Sequence, residues 1–391
     1  MVKKSSKLPS TREPLWKGPE IDGITVSLLN RFLVCRERFR LLVVEGLRPA
    51  PIFQPRIEYG QMWHVCEESF AKGGCDYKAS ADIHWIVCLT KYTKELCRKY
   101  PLSQPQIQHW YHVCLVQFPL YVQYWNKRKP TKSQKITPVF QEQVFKVPVA
   151  LPSGRVVWLR GKWDEVHQVG GKLRVKENKT KSDLDEQQLS TQLQFDLQTM
   201  TYVIALQRWL ETDPGDCLPV HVQKRSLLAK VIEGVDYNTV RRPLAGGKHS
   251  IRLHQAKGKT PAETDTQFYT RLSGLIQGEP EYFFSRWTVY VTHQDQARFA
   301  SQCLDPLLET VCDWWDSIKD DPFNPWVVPD RTANRAIYKP NPHHWRHPYG
   351  VYNVLNEGGS SEVDEYLKTG STLGLVKAER LFTELEPDNA S

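Results

Sequence analysis

Three runs of alternating apolar and polar residues, followed by a long amphipathic stretch, constrain the fold of this chain more than any other feature. Alternation with a period of two is typical of half-buried β-strands, whereas apolar residues spaced three and four apart are typical of a helix. The runs cover residues 139–149, 156–166 and 173–179, turn signals stand at Pro152-Ser153-Gly154 and Gly170-Gly171, and the amphipathic stretch covers residues 185–210. Three strands and a helix in this order predict an α/β core.

Helical spacing also flanks this core on both sides. It occurs in residues 27–41, 60–70, 81–100, 107–126, 261–276 and 294–318, with Ser27 as the expected N-cap of the first helix and a further strand pattern at 282–291. We therefore expect one α/β domain over residues 21–330, with a central mixed sheet flanked by helices and a helical insertion at residues 71–130. Residues 1–20 predict a flexible basic leader, and residues 331–391 a Pro- and His-rich segment with an acidic tail.

The positive charge of the chain is concentrated in one segment. Lys and Arg number 52 against 44 Asp and Glu, which gives a net charge of +8. Residues 221–260 hold nine of the bases and only two acids, so they carry nearly all of the excess. This segment is either a contact surface for a nucleic-acid backbone or only a solvated insertion. Residues 357–391, by contrast, hold eight acids and three bases.

The cysteine pattern and the hydropathy exclude several classes of protein. No two of the nine cysteines are spaced as Cys-x-x-Cys, which argues against a zinc ribbon and a disulfide framework and favours a reducing cytosol. No apolar run reaches the length of about 18 residues that a membrane span needs, and no secretory signal follows the charged start. No Gly-x-Ser-x-Gly elbow and no complete P-loop are present.

A candidate catalytic cluster lies on the second and third predicted strands. Glu177 and Lys179 are two residues apart and therefore share a face of the third strand, and a hairpin at Gly170-Gly171 would bring Asp164 to them. Two converging carboxylates suit Mg²⁺ or Mn²⁺, and a lysine beside them can orient a water or offset charge on a phosphate. Phosphodiester hydrolysis needs these groups. The alternative is a pair of solvated carboxylates in salt bridges with nearby lysines.

Two polar residues on the following helix extend this cluster. Gln198 and Tyr202 are four apart and share one helix face, where they would steady Lys179 or touch a substrate. For Tyr202 a role in the apolar core stays open, because Leu197 and Ile204 flank its face.

These residues resemble a known family when they are taken in chain order. Asp164, Glu177-x-Lys179 and Gln198-x-x-x-Tyr202 resemble motifs II, III and IV of the PD-(D/E)XK nucleases, in their RecB-like and phage-type exonuclease branch. Upstream, Gly60-x-x-x-His64-x-x-x-Glu68 resembles motif I of that branch. The resemblance spans residues 24–320. It implies a restriction-endonuclease-like core.

The resemblance also implies the roles of individual residues. Asp164, Glu177 and Lys179 would be catalytic, and one or two Mg²⁺ or Mn²⁺ ions would be bound by His64, Asp164, Glu177 and the carbonyl of Asn178. Gln198, Tyr202, Arg241 and Arg242 would contact the substrate, and Glu68 would support the site. Several relatives hold an iron–sulfur cluster with one early and three late cysteines. Here Cys35 matches the first position but no cysteine follows Cys312, so no cluster is expected.

The function implied by the resemblance is hydrolysis of DNA phosphodiester bonds with a divalent metal. An exonuclease that acts on DNA ends in recombination, repair or phage DNA processing is the favoured form. The alternatives are a structure-selective endonuclease and a catalytically silent DNA-binding scaffold of the same fold. DNA would be the main partner, with a single-strand annealing protein or a helicase as companion and no membrane. The expected location is cytoplasmic, in a bacterial cytosol or a phage-infected cell.

Overall fold

The computed structural model describes residues 13–34, 36–49, 51–72, 79–128, 136–181, 196–211, 231–243, 261–320 and 375–385. Its strands are β1 (Ile24–Thr25), β2 (Leu47–Pro49), β3 (Ile136–Ala150), β4 (Val156–Val169), β5 (Lys172–Lys181), β6 (Ile232–Arg241), β7 (Phe284–Tyr290) and β8 (Leu375–Lys377). Its helices are α1 (Val26–Val34), α2 (Arg36–Phe39), α3 (Pro55–Lys72), α4 (Ala79–Lys99), α5 (Gln104–Lys127), α6 (Leu197–Glu211), α7 (Asp265–Gly278), α8 (Pro280–Phe283), α9 (His293–Phe299) and α10 (Asp305–Ile318).

A six-stranded mixed sheet forms the centre of the domain. The strands lie in the order β1-β4-β5-β6-β7, and β3 pairs with β4 outside this path. The β1–β4 and β5–β6 pairs are parallel, whereas β3–β4, β4–β5 and β6–β7 are antiparallel. The predicted α/β core with a mixed sheet is therefore confirmed.

Helices cover both faces of the sheet and create two apolar cores. Helices α1, α6, α9 and α10 pack one core against the inner residues of β3, β4 and β5. Helices α3, α4, α5 and α7 build the second core. On β6, Val235 and Tyr237 belong to the first core and Val240 to the second, as expected for a strand buried on both faces.

Two helix starts differ from the sequence-based expectation. Helix α1 begins at Val26, and the Thr25 hydroxyl accepts the N–H of Leu28, so Thr25 rather than Ser27 has the capping position. Helix α6 begins at Leu197, where the Asp196 carboxylate accepts the N–H of Thr199. The predicted continuous helix over 185–210 is therefore wrong at Asp196, and residues 182–195 lie outside the described part.

Both terminal segments contribute to the folded domain. Trp16, inside the expected leader, is fully buried and packs edge-on against Phe39 and Trp315. Residues 375–385, expected in the acidic tail, instead supply β8, which pairs antiparallel with β2, and they bury Phe382. The expectation of a leader and a tail separate from the domain is wrong for these residues. Residues 1–12, 331–374 and 386–391 lie outside the described part.

The middle of the basic segment forms a strand that the sequence pattern did not predict. Residues 232–241 form β6, a central strand between β5 and β7, and not a solvated insertion. Residues 221–230 and 244–260, which hold most of the positive charge of the segment, lie outside the described residues.

Candidate active site

The candidate site lies at a fork between two strands. Strands β4 and β5 pair only from Glu165–Lys176 to Val169–Lys172, and beyond Lys176 strand β5 continues beside β6. Asp164 lies at the point of separation, and its Oδ2 accepts the backbone N–H of Asn178 at 2.8 Å. This bond ties the predicted first carboxylate to the strand that carries the second one.

A break in the alternation of the paired strands β3 and β4 turns Asp164 towards the fork. Trp163 and Val166 are three residues apart on β4, and Phe140 and Phe145 are five apart on β3, yet all four side chains are in the same core. Because alternate residues of a regular strand face opposite sides, the facing of each strand must change within these intervals. The changes surround Asp164 and the opposing Glu142, whose φ is +48°.

Gly161 permits an aromatic contact that holds β4 in place just before Asp164. A Cβ atom there would lie 2.5 Å from the ring of Phe145. The glycine leaves room for that ring to stack on Trp163 at a centroid distance of 4.2 Å. The Gly-Lys-Trp-Asp sequence therefore fixes the approach of β4 to the fork.

The buried Glu177 and the half-buried Lys179 form an ion pair that Gln198 bridges. The Nζ of Lys179 donates to Glu177 Oε1 at 2.6 Å and to Gln198 Oε1 at 2.8 Å, and Gln198 Nε2 donates to Glu177 Oε1 at 2.7 Å. Burial raises the pKa of Glu177 to about 7 against the opposing effect of Lys179, and Asp164 raises it further. Within the described residues, the buried Oε2 of Glu177 has no hydrogen-bond partner. A buried carboxylate oxygen without a hydrogen-bond donor can bind a cation.

Helix α3 carries His64 to the fork. A Cβ atom at Gly60 would lie 3.1 Å from Thr180 Oγ1, so this glycine permits a close approach of α3 to β5. One turn later the Nδ1 of His64 lies 4.0 Å from Asp164 Oδ2, and the imidazole is one-third exposed. The spacing Gly60-x-x-x-His64 therefore has a geometric reason.

Glu142 is a site residue that the sequence analysis missed. One ligand atom from each of His64, Glu142 and Asp164 lies within 4.8 Å of the others. The Glu142 carboxylate pairs with Lys162. Burial raises the pKa of Glu142 to about 7, and the nearby Asp164 raises it further. The break in alternation between Phe140 and Phe145 is the sequence signal that could have located it.

Helix α3 also contributes Glu67, which sequence reasoning overlooked in favour of Glu68. The Nδ2 of Asn238 lies 2.9 Å from Glu67 Oε1 and 2.8 Å from Asn178 Oδ1. The side chain of the predicted ligand Asn178 is thereby tied to α3. Glu68 is half-buried and close enough to raise the pKa of Glu142.

Of the three remaining predicted substrate residues, Tyr202 borders the site, because the charges of Glu177, Asp164 and Glu142 add to the effect of burial on its pKa. Tyr202 packs edge-on against Phe145 at 5.8 Å, and burial raises its pKa. Arg241 stacks on Tyr282 at 4.0 Å. Arg242 is buried beyond the end of β6. Tyr202 thus has the core contacts that the alternative interpretation expected.

The donor set fits a hard divalent cation. Carboxylate oxygens with one imidazole suit Mg²⁺ or Mn²⁺ better than the thiolates that soft metals prefer. Burial also raises the pKa of Asp164 to about 6, against the hydrogen bond from Asn178 and the charge of Lys179. A cation would favour the ionised form of these carboxyl groups. Of the cysteines considered for a cluster, Cys312 is buried in the core and Cys35 lies outside the described part.

A comparison with protein families agrees with this geometry. A family model described as the PD-(D/E)XK nuclease superfamily matches residues 23–311. The chain belongs to the PD-(D/E)XK nuclease superfamily, as the resemblance of its motifs implied. A search of curated proteins found no match. Among the described helices, none is both long and apolar enough to cross a membrane.

Proposed function

We propose that this protein is a divalent-metal-dependent deoxyribonuclease that acts as an exonuclease on DNA ends. Membership of the superfamily supports a metal-dependent nuclease in general. The observation that carries the proposal is the fork itself, where Asp164 is fixed beside β5 and Lys179 is held between Glu177 and Gln198. The preference for DNA ends rests on the resemblance to the RecB-like branch in motif I and in Gln198-x-x-x-Tyr202.

The residues of the fork divide into two roles. His64, Glu142, Asp164 and Glu177 would hold Mg²⁺ or Mn²⁺, with the carbonyl of Asn178 as a further ligand. A divalent ion there supplies Lewis acidity, which lowers the pKa of a coordinated water and offsets negative charge on the phosphate.

Lys179 is placed to act on the substrate directly. Burial would lower the pKa of Lys179, but the adjacent Glu177 outweighs it and raises that pKa, so the ammonium keeps its proton. Two of its three N–H donors are used by Glu177 and Gln198. The third can orient a water or donate to a phosphate oxygen as charge develops there.

Cleavage of linear and covalently closed circular DNA in Mg²⁺, Mn²⁺ and EDTA tests the proposal. We expect metal-dependent loss of linear DNA only, abolished in Asp164→Asn and Lys179→Ala. Lys146→Ala is the matched control, because Lys146 is an exposed lysine that packs over Trp158 on the neighbouring strand.

The other possible outcomes of this cleavage assay indicate other functions. Cutting of the circle as well would identify an endonuclease, and binding without cutting would identify a scaffold. A single-stranded RNA of the same sequence, run in parallel, separates a deoxyribonuclease from a ribonuclease. Pull-down with a single-strand annealing protein or a helicase tests the proposed companions.

A further inference from the structure

A buried guanidinium lies just beyond the end of β6. Arg242 is only 7% exposed, and its backbone N–H donates to the carbonyl of Lys181 at 2.7 Å. No carboxylate of the described residues pairs with its side chain, and the buried Nε atom has no acceptor there. This arrangement differs from Arg40, which is also buried but is paired with Glu45.

The surroundings of Arg242 hold it in place without an anion. Gln117 is fully buried, donates to the carbonyl of Arg241 at 2.9 Å and accepts the hydroxyl of Tyr59 at 2.7 Å. The ring of Trp110 lies 5.9 Å from the guanidinium carbon and 5.1 Å from the ring of Tyr59. The guanidinium is therefore positioned by packing and by the backbone bonds of its own segment.

A second arginine lies on the helix whose Tyr59 is linked to this segment through Gln117. Arg56 is exposed on the first turn of α3, one turn before Tyr59, and within the described chain it makes no ion pair. Burial lowers the pKa of Arg242, and the charge of Arg56 lowers it further. Arginine does not lose its proton in proteins, and burying an uncompensated charge is costly. A buried guanidinium with a second guanidinium close to it would be stabilised by an anion.

We propose that Arg56 and Arg242 bind a phosphate group of the nucleic-acid strand that is cut at the fork. Guanidinium groups recognise phosphate through paired N–H donors. This inference rests on the proposed function, because it takes the substrate to be a phosphodiester.

The distance between the two sites sets which phosphate is bound. Arg56, Gly60 and His64 follow each other at four-residue intervals along one face of α3. Eight residues of helix correspond to about 12 Å. The phosphate at Arg56 and Arg242 is therefore about two to four nucleotides from the one at the fork, given a rise of about 3.4 Å per nucleotide in a duplex and a longer one in an extended strand.

Binding without cleavage tests the inference. The affinity of an internally labelled single-stranded DNA is measured in EDTA over a range of salt concentrations, for wild type, Arg56→Ala and Arg242→Gln. Losing one phosphate contact is expected to make the negative slope of log affinity against log salt shallower by about 0.7. Arg298→Ala, an exposed arginine on α9 in the opposite helical layer, is the matched control and should leave the slope unchanged.

Neutral methylphosphonate linkages locate the contact along the strand. When one linkage at a time is replaced, we expect a single position at which the neutral linkage weakens binding by wild type. At that position the same replacement should not weaken binding by Arg56→Ala. Oligonucleotides with phosphorylated ends, hydroxyl ends or no ends then distinguish a terminal phosphate from an internal one.

A salt slope for Arg56→Ala equal to that of Arg298→Ala would overturn the inference, even if wild type cleaves DNA. A reduced slope without any cleavage would support this site and reject the nuclease proposal. Arg56 is exposed, so Arg56→Ala is expected to fold. If Arg242→Gln does not fold, the salt slope of Arg56→Ala alone decides whether the inference holds.

Discussion

The carboxylate of Asp164 accepts the backbone N–H of Asn178 across the fork between β4 and β5, at 2.8 Å. This bond places one predicted ligand directly beside another, since the carbonyl of Asn178 belongs to the same strand segment. It forms although burial raises the pKa of Asp164 to about 6. The fork therefore concentrates carboxyl groups where their charge is costly in the absence of a cation.

Replacing Asp164 with asparagine should abolish tight metal binding without lowering the stability of the fold. The amide keeps an oxygen that can accept the Asn178 N–H, but it removes one buried charge from beside Glu142 and Glu177. We expect Asp164→Asn to be as stable as wild type or more stable by about 1 kcal/mol in urea unfolding without metal. Calorimetric titration with Mn²⁺ should show that the variant has lost tight binding. A variant that binds Mn²⁺ like wild type would remove Asp164 from the ligand set.

Glu142 should contribute to metal binding although no sequence motif includes it. Its ligand atom lies with those of His64 and Asp164 within 4.8 Å. Glu142→Gln is expected to weaken Mn²⁺ binding at least about tenfold, because a charged oxygen ligand becomes a neutral one. Glu95→Gln, on the exposed face of α4, is the control and should bind as wild type does. Unchanged affinity in Glu142→Gln would restrict the site to the predicted ligands.

Among the longer strands, the sequence predicted those whose apolar side chains alternate and missed β6, whose apolar pattern is interrupted; the two- and three-residue strands β1, β2 and β8 were not predicted either. Strands β3, β4 and β5 alternate outside the break at Glu142 and Asp164, because each packs apolar side chains on one core. Strand β6 was missed because Asp236 and Asn238, residue types that strands disfavour, interrupt its apolar pattern. Asn238 is nevertheless 2% exposed, because Asn178 and Glu67 bind its amide. Its burial depends on partners 60 and 171 residues away, which local patterns do not reveal.

The site residues were predictable where their spacing is local. Glu177 and Lys179 share a strand face, and the tight hairpin at Gly170-Gly171 brings Asp164 within reach of Asn178. Glu142 was missed because it depends on the pairing of β3 with β4 and on a left-handed backbone that a glutamate rarely adopts. Glu67 was missed because positions three and four residues after His64 lie on nearly the same helix face. Spacing alone does not decide between Glu67 and Glu68.

Phe382 should stabilise the domain although it lies in the expected tail. Its side chain is 6% exposed, it belongs to the first core, and the guanidinium of Arg160 lies 4.3 Å from its ring centre. Phe382→Ala is expected to lower the free energy of unfolding by about 3 kcal/mol, measured by urea denaturation. Val376→Ala, at a half-exposed position of β8, should change it by less than about 1 kcal/mol. Equal effects of the two substitutions would show that the C-terminal segment does not pack on the domain.

His167 should make the stability of the domain depend on pH. The imidazole is 1% exposed, with Nε2 at 2.7 Å from Asp236 Oδ2 and Nδ1 at 3.3 Å from Glu165 Oε1. Lys176 also pairs with Glu165, and Arg174 with Asp236. Burial lowers the pKa of His167, but the two carboxylates outweigh burial and raise it above its usual value.

A histidine whose pKa is raised by folding stabilises the folded state most at low pH. Its contribution is complete below the unfolded pKa of about 6.5 and is lost as the pH rises through the folded value. We expect His167→Gln to lower the free energy of unfolding by about 2 kcal/mol at pH 6 and by clearly less at pH 9. Urea unfolding at both pH values measures this difference, with His84→Gln on the exposed face of α4 as the control. A loss that is the same at both pH values, or larger at pH 9, would mean that His167 is neutral in the folded protein and that Asp236 and Glu165 are balanced by Arg174 and Lys176 alone.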